Sequence, residues 1–252
     1  MTVYTVAGGK GGITKSTTAA ELAYRLAQEG RDVLLVELDQ QGNASARFGI
    51  TPDSEVEGTT ADVLRAESTI REAAASTRVP NVSVLVGTHE LIAVEENPPV
   101  DVVTVIRDSA ELGEWDDVVI DSPPSLGRLA STGLAAAEVL IVPVPPEVEA
   151  YQQIERLEAV LTGPIGKRVN PGVRIDWTVP TMHDGRRLLD REIVELLEDR
   201  MPGRVAPTVR HSVMVRDAYT AGMTVSEYDP SSPVAEDYRR ATTAIIKEGG
   251  SR

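Results

Sequence analysis

A glycine-rich stretch near the start of the chain carries a lysine and a serine at neighbouring positions. Residues 8–17 read GGKGGITKST, between a short apolar run at residues 3–6 and a helical pattern at residues 17–28. In such a strand–loop–helix setting, successive backbone N–H groups surround a phosphate and the helix N-terminus adds positive potential. The lysine then meets the phosphate charge, and the serine hydroxyl is a ligand for Mg²⁺. A plain glycine-rich turn explains the glycines but not Lys15 followed by Ser16, so the stretch predicts a phosphate-binding loop.

Two later stretches each end an apolar run in an aspartate. Residues 33–38 lead to Asp39, and residues 118–120 lead to Asp121, which two prolines follow closely. A carboxylate at the carboxyl end of a buried parallel strand points into the crevice where ligands bind. The second pattern is typical of a Walker B strand, whose carboxylate holds Mg²⁺ through water. Either aspartate alone would be an ordinary strand end; together with the glycine-rich loop they predict a nucleotide site.

These motifs resemble the deviant Walker A ATPases, the family that contains ParA, Soj and MinD. Residues 33–43 (VLLVELDQQGN) are similar to the family's VLLIDxDPQGN, and residues 121–124 (DSPP) are similar to its switch segment DxPP. The resemblance extends over nearly the whole chain, from about residue 3 to about residue 246. Thr14 and Glu37 depart from the family, which has glycine and aspartate at those positions.

The resemblance implies a role for each motif residue, with ATP and Mg²⁺ as cofactors. Lys10 would reach across a dimer to the nucleotide of the other subunit, Lys15 would meet the phosphates, and Asp39 would orient the attacking water. Ser16 and Asp121 would hold the metal ion. The implied nucleotide-binding residues are Gly9, Lys10, Gly11, Gly12, Ile13, Thr14, Lys15, Ser16, Thr17, Asp121 and Pro123.

Strand-like and helix-like segments alternate along the chain. This alternation predicts an α/β fold with a mostly parallel, doubly wound P-loop sheet and helices on both faces. No repeat or linker divides the chain, so one domain over residues 1–252 is expected. Predicted strands are residues 3–6, 33–38, 82–86, 118–120, 139–144 and 173–179; predicted helices are residues 17–28, 126–137, 151–161 and 191–200.

Composition limits the possible chemistry. The chain has no cysteine, which excludes disulfides, iron–sulfur clusters and thiolate metal sites. No apolar run is long enough to span a bilayer, so a cytoplasmic protein is expected. The net charge of −14 repels nucleic acid at long range. Such acidity is typical of a salt-loving microbe or of an acidic mesophilic protein, and the sequence leaves both open.

Arginines in the second half of the chain are the candidates for DNA contact. Residues 182–186 (MHDGR) resemble a Soj segment whose arginine contacts DNA, which nominates Arg186. Local basic density adds Arg187, Arg210 and Arg216. The alternative interpretation is that these side chains are solvated or pair with nearby acids, since surface ion pairs are common and weak.

The resemblance implies a slow ATPase that dimerises on ATP, binds DNA without sequence preference and associates with the nucleoid. A ParB-like partner would stimulate hydrolysis during plasmid or chromosome partition. Two alternatives remain open: an ATPase that positions a protein cargo, and an ATP-gated binding module with little hydrolysis. A MinD-like membrane attachment is not expected, because residues 245–252 (IIKEGGSR) are too short and polar for a membrane helix.

Overall fold

One sheet forms the centre of the protein. The computed structural model describes residues 1–8, 14–51 and 54–249. Within these residues, seven strands pair in the order β3-β4-β2-β5-β1-β6-β7, and all neighbours are parallel except β3 with β4. The strands are β1 (Thr2–Val6), β2 (Val33–Glu37), β3 (Ala75–Ser76), β4 (Val82–Leu85), β5 (Asp117–Asp121), β6 (Val139–Val144) and β7 (Ile175–Pro180).

Helices cover both faces of the sheet because strand side chains alternate between them. On β2, Leu35 packs into a core with Leu22, whereas its neighbour Leu34 packs into a different core with Leu64. The predicted doubly wound α/β fold is therefore confirmed. The α-helices are α1 (Thr14–Gln28), α2 (Asn43–Ala46), α3 (Thr60–Leu64), α4 (Ile70–Ala73), α5 (Leu91–Glu96), α6 (Arg128–Ala136), α7 (Val148–Leu161), α8 (Leu188–Arg200), α9 (Met214–Thr220), α10 (Val225–Tyr228) and α11 (Pro233–Gly249).

The central strands are buried along their whole length. Every residue of β2 and β5 is buried, as expected for parallel strands covered on both faces. This burial explains why their sequences are continuous apolar runs instead of alternating patterns. The acids at their carboxyl ends, Glu37 and Asp121, are consequently buried too.

Element boundaries differ from the predictions in a few places. The helix predicted from residue 17 begins at Thr14, and the one predicted from residue 191 begins at Leu188. The two-residue strand β3, which pairs antiparallel at the sheet edge, was not predicted. It is too short to produce a periodic apolar pattern, which is the signal such predictions depend on.

The last helix belongs to the core. Val234, Tyr238 and Ile245 of α11 are buried in the same core as Leu22 of α1. Among the described residues, the structure has no helix that is both long and apolar enough to cross a bilayer. That the whole chain forms one domain stays a prediction.

Candidate nucleotide site

The carboxyl ends of three neighbouring strands converge at one edge of the sheet. Asp121, the last residue of β5, lies opposite Val6 of β1 on one side and Glu37 of β2 on the other. The glycine-rich loop follows β1, and Asp39 follows β2. Since β1 also pairs with β6 on its far side, the chain order reverses here, which is where open α/β sheets bind ligands.

The described part of the predicted phosphate loop lies at the start of α1. Lys15, Ser16 and Thr17 are all buried there. Thr14 is the first residue of the helix, and its carbonyl accepts a hydrogen bond of 2.7 Å from the Thr18 hydroxyl. A helical position suits any L-residue, so threonine fits where the family has glycine. The predicted residues Gly9, Lys10, Gly11, Gly12 and Ile13 lie outside the described residues.

The Lys15 ammonium is close to both predicted carboxylates. Burial lowers the pKa of Lys15, while the negative charges of Asp121 and Asp39 act in the opposite direction. The Lys15 ammonium lies in the first turn of α1, so the cation and the helix N-terminus together attract a charged phosphate. The carboxylates lie on the side of the strands. The structure thus brings together Lys15, Asp39 and Asp121, which the sequence motifs had predicted separately.

Asp121 fits the role of a cation ligand. Burial raises its pKa to about 7, and the nearby Ser16 hydroxyl and the charge of Lys15 offset only part of this effect. Apart from the Ser16 hydroxyl, no side chain or backbone group of the described residues donates a hydrogen bond to its buried carboxylate. A buried carboxylate with so few partners is costly unless a cation or water satisfies it. Ser16 and Asp121 are therefore suited to hold a hard divalent cation. Pro123, two residues after Asp121 and predicted to be part of the nucleotide site, is also buried.

Asp39 sits in a tight turn immediately beyond β2. Its side chain is almost buried, and its Oδ1 accepts a hydrogen bond of 3.1 Å from the Gln41 N–H. The backbone of Gly87 packs against this turn, where a Cβ atom would lie 2.2 Å from the Asp39 carbonyl oxygen. Only glycine leaves room for that approach. Close backbone packing thus fixes the turn that carries Asp39.

Glu37 supports the same turn, although its role could not be read from the sequence. Its Oε1 accepts from the Ala44 N–H at 2.7 Å and its Oε2 from the Ser45 N–H at 3.2 Å, at the start of α2. The Gly87 N–H also donates to Glu37, at 3.4 Å. Burial and the charge of Asp121 raise the pKa of Glu37 to about 8. The signal in the sequence was a carboxylate ending an otherwise apolar strand.

Three of the four DNA-contact candidates, Arg186, Arg187 and Arg210, are ion-paired. Arg186 donates to both oxygens of Asp184 at 3.0 and 3.1 Å, although its side chain is 90% exposed. Arg210 forms a similar two-point pair with Asp237 of α11. Arg216 is exposed on α9. These arginines line two cavities that share Arg210.

The larger of these cavities has a volume of about 670 Å³ and lies beside the ends of β6 and β7. It is lined by Pro145, Pro146, Glu147, Met182, His183, Asp184, Gly185, Arg186, Arg187, Thr208, Arg210, His211, Asp237 and Arg240. A smaller cavity of about 70 Å³ joins Arg210 and Arg216 to Thr14 and Thr17 of α1. The candidate arginines therefore border the start of the nucleotide helix.

Comparison with known proteins agrees with this geometry. The AAA domain family matches residues 1–175. The chromosome-partitioning ATPase Soj of Thermus thermophilus is 33% identical over 246 residues, covering 96% of this chain and 94% of that protein. The chain belongs to the ParA/Soj family of P-loop ATPases. The sporulation initiation inhibitor protein Soj of Bacillus subtilis is 30% identical over 256 residues. The match covers 98% of this chain and 99% of that protein.

A solved structure with a similar fold contains the ligands that the motifs predict. Cobyrinic acid a,c-diamide synthase of Mycobacterium smegmatis, with a bound ATP analogue and magnesium, superimposes with a TM-score of 0.84 at 27% identity. The match covers 100% of this chain and 96% of that one. The ParA/Soj fold seen here is thus shared with a protein whose named activity is different, so function rests on the site.

Proposed function

We propose that this chain is a partition ATPase of the ParA/Soj family that hydrolyses ATP to ADP and phosphate with Mg²⁺. The observation that carries the proposal is the convergence of Lys15, Ser16, Asp39 and Asp121 at one edge of the sheet. Lys15 and the N-terminus of α1 would neutralise phosphate charge, and Ser16 with Asp121 would hold the metal ion. Magnesium supplies charge neutralisation at the phosphates when it is bound.

Asp39 is assigned to the attacking water. Its carboxylate accepts a hydrogen bond from the Gln41 N–H, and Gly87 packs against the backbone of the same turn. Strand β5 separates β2, which leads to Asp39, from β1, which leads to the glycine-rich loop. A carboxylate held in one position can orient a water molecule without contributing to nucleotide affinity. Hydrolysis would be slow, because in a switch of this kind it resets a conformational state.

The assembly that we propose is a homodimer formed on ATP, with Lys10 of each subunit acting on the nucleotide of the other. The dimer would bind DNA non-specifically through Arg186, Arg210 and Arg216, and a ParB-like partner would stimulate hydrolysis. Two copies of each arginine would then offset some of the long-range repulsion from a net charge of −14. The expected location is the cytoplasm, at the nucleoid.

Asp39→Ala tests the catalytic part of the proposal. The variant should bind ATP and dimerise as the wild type does but release no phosphate, since the residue positions water and not nucleotide. Light scattering with ATP, beside a phosphate-release assay, measures the two properties separately. Asp101→Ala, which removes an exposed carboxylate, is the matched control and should hydrolyse normally. Normal turnover in Asp39→Ala would overturn the assignment of the water-positioning residue.

One experiment distinguishes the proposed DNA-partition ATPase from the two alternatives, a protein-cargo ATPase and an ATP-gated binding module. A protein-cargo ATPase should hydrolyse ATP without any response to DNA, whereas a binding module should dimerise on ATP and hold it without turnover. Measuring hydrolysis and dimerisation with and without random duplex DNA distinguishes the three functions.

A further inference from the structure

Arg47 is the largest fully buried side chain of the described residues, and no motif drew attention to it. It follows α2, in the segment that continues from the Asp39 turn, and is 1% exposed. Its Nη2 donates a hydrogen bond of 2.8 Å to the Thr17 hydroxyl. Thr17 lies in the first turn of α1, directly after Ser16. A cation therefore contacts the phosphate helix from inside the protein.

The same guanidinium contacts the C-terminal part of the fold. Its central carbon lies 5.1 Å from the centre of the Tyr219 ring, within the range of a cation–π interaction. The Tyr219 hydroxyl donates to Asn43 Oδ1 at 2.9 Å, at the start of α2. Tyr219 is on α9, one turn after Arg216. Arg47 thus joins α1, the segment after Asp39, and α9.

Arg47 is poorly compensated for a buried charge. Its Nε and Nη1 find no hydrogen-bond partner within the described residues, and no carboxylate there lies within ion-pair distance of it. The acids that act on it from further away include Glu21 and Asp121. Glu21 is itself engaged by the backbone N–H groups of Val225 and Ser226 at the start of α10.

A buried cation with so few partners is costly to the fold, and an anionic ligand bound nearby would offset part of that cost. Within the described part of the chain, the hydrogen bond to Thr17 is the only one that the Arg47 side chain makes, and Thr17 lies at the start of α1, where phosphate would bind. Positive charge at a helix N-terminus is unfavourable in the absence of an anion and becomes favourable when one is present. The location of Arg47 therefore fits a site whose net charge becomes negative on nucleotide binding.

We propose that Arg47 is a positioning residue that orients Thr17 for phosphate binding and, through the Tyr219 ring, transmits nucleotide occupancy to α9. The proposal rests on the ATP-binding function proposed above. Because α9 carries Arg216, occupancy of the phosphate site would order the helix that presents this arginine. Loss of Arg47 would weaken ATP binding and uncouple α9 from it, whereas loss of the Tyr219 ring would uncouple α9 only.

Four variants separate these effects from general packing. Arg47→Met keeps the length and apolar stem but removes both contacts, and Tyr219→Leu removes the ring. Tyr219→Phe keeps the ring and removes only the bond to Asn43. Arg78→Met is the matched control, because Arg78 donates to the Arg47 carbonyl at 3.3 Å and pairs with Glu227 but does not contact Thr17. The readouts are ATP affinity by titration and hydrogen exchange of α9 with and without Mg²⁺-ATP.

Arg47→Met should bind ATP about tenfold more weakly, because Thr17 loses the hydrogen bond that orients it and the phosphate site loses a nearby positive charge. At saturating ATP, it should show no nucleotide-dependent protection of α9. Tyr219→Leu should bind ATP normally yet lack that protection, and Tyr219→Phe and Arg78→Met should retain both.

Three outcomes would overturn the inference. The first is wild-type ATP affinity and wild-type protection of α9 in Arg47→Met. The second is full protection of α9 in Tyr219→Leu, and this measurement still tests the inference if Arg47→Met fails to fold. The third is an equal loss in Arg78→Met, which would reveal a packing role. If the wild type itself binds no ATP, the proposed function fails first, and that result is distinct from all three.

Discussion

Glu37 and Asp121 lie opposite each other at the ends of β2 and β5, and their carboxylates have opposite surroundings. The Glu37 carboxylate accepts hydrogen bonds from the start of α2, whereas no backbone N–H of the described residues donates to Asp121, which has only the Ser16 hydroxyl and the charge of Lys15 nearby. One acid is therefore built into the fold, and the other is available to a ligand. Two buried carboxylates so close together also make the protein sensitive to pH.

We predict that the ligand-free protein loses stability as pH rises from about 5 to 8. The pKa is raised by burial to about 8 for Glu37 and to about 7 for Asp121, so the folded state binds more protons than the unfolded state. The stabilisation is fully present below the unfolded pKa values, near 4, and is lost as pH rises through the folded ones. Each group contributes a slope of at most about 1.4 kcal/mol per pH unit.

Chemical denaturation at a series of pH values checks this prediction. Glu37→Gln and Asp121→Asn should each flatten the pH dependence, while Asp101→Asn should leave it unchanged. Magnesium with ATP should flatten it too if the cation neutralises Asp121. A stability that rises over this pH range would contradict the assignment of two buried, destabilised acids.

The sequence predicted the parts of the site that local pattern controls. Asp39 and Asp121 were identified because each ends a continuous apolar run, and such runs form neighbouring buried strands. Arg47 carries no such signal, since a single arginine in a short polar segment has no periodicity. The pair of Arg210 with Asp237 joins residues 27 apart in sequence, which only the tertiary fold brings together. Lys10 lies outside the described residues, and its role stays a prediction.

Lys15→Ala should abolish ATP binding. The buried ammonium is the cation that the described part of the loop places beside the two carboxylates, and its loss leaves phosphate next to Asp39 and Asp121 without that counter-charge. Titration with a fluorescent ATP analogue measures the effect. Lys167→Ala removes an exposed lysine and is the control. An unchanged affinity in Lys15→Ala would refute the phosphate-loop assignment.

Lys10→Ala should bind ATP but remain a monomer, because the resemblance assigns its ammonium to the nucleotide of the opposite subunit. The measurement is molar mass by light scattering with ADP and with ATP, using the hydrolysis-deficient Asp39→Ala background to keep ATP intact. Lys167→Ala in the same background should dimerise. If Lys10→Ala also dimerises on ATP, the lysine does not act in trans.

Asp184→Asn should strengthen DNA binding. The hydrogen bonds and charge of Arg186 hold the pKa of Asp184 at about 2, so this acid is ionised at neutral pH and occupies the guanidinium that DNA would need. Removing the charge frees Arg186 for phosphate. Asp199→Asn changes the net charge equally at an exposed position of α8 and serves as the control. Equal affinities for the two variants would show that only net charge matters.

Binding of DNA by so acidic a chain is the most demanding prediction. With a net charge of −14, contact requires a local basic surface, and Arg186, Arg210 and Arg216 lie around adjoining cavities that reach Thr14 and Thr17 of α1. If an ATP dimer doubles this surface, affinity for random duplex should need ATP and Mg²⁺. It should fall with salt at a logarithmic slope of about −0.9 per phosphate contact.

The triple variant Arg186→Ala/Arg210→Ala/Arg216→Ala tests that surface directly. It should bind DNA more weakly and with a shallower salt slope, because fewer counterions are released when fewer phosphates are contacted. Exposed Arg239, which pairs with Glu236 on α11, gives the control Arg239→Ala. Titrations of sequence-unrelated duplex across a salt series, with ATP and with ADP, compare the three proteins. Equal, weak binding in every arm would remove DNA as the partner and leave a protein cargo as the better proposal, since the nucleotide site would be unaffected.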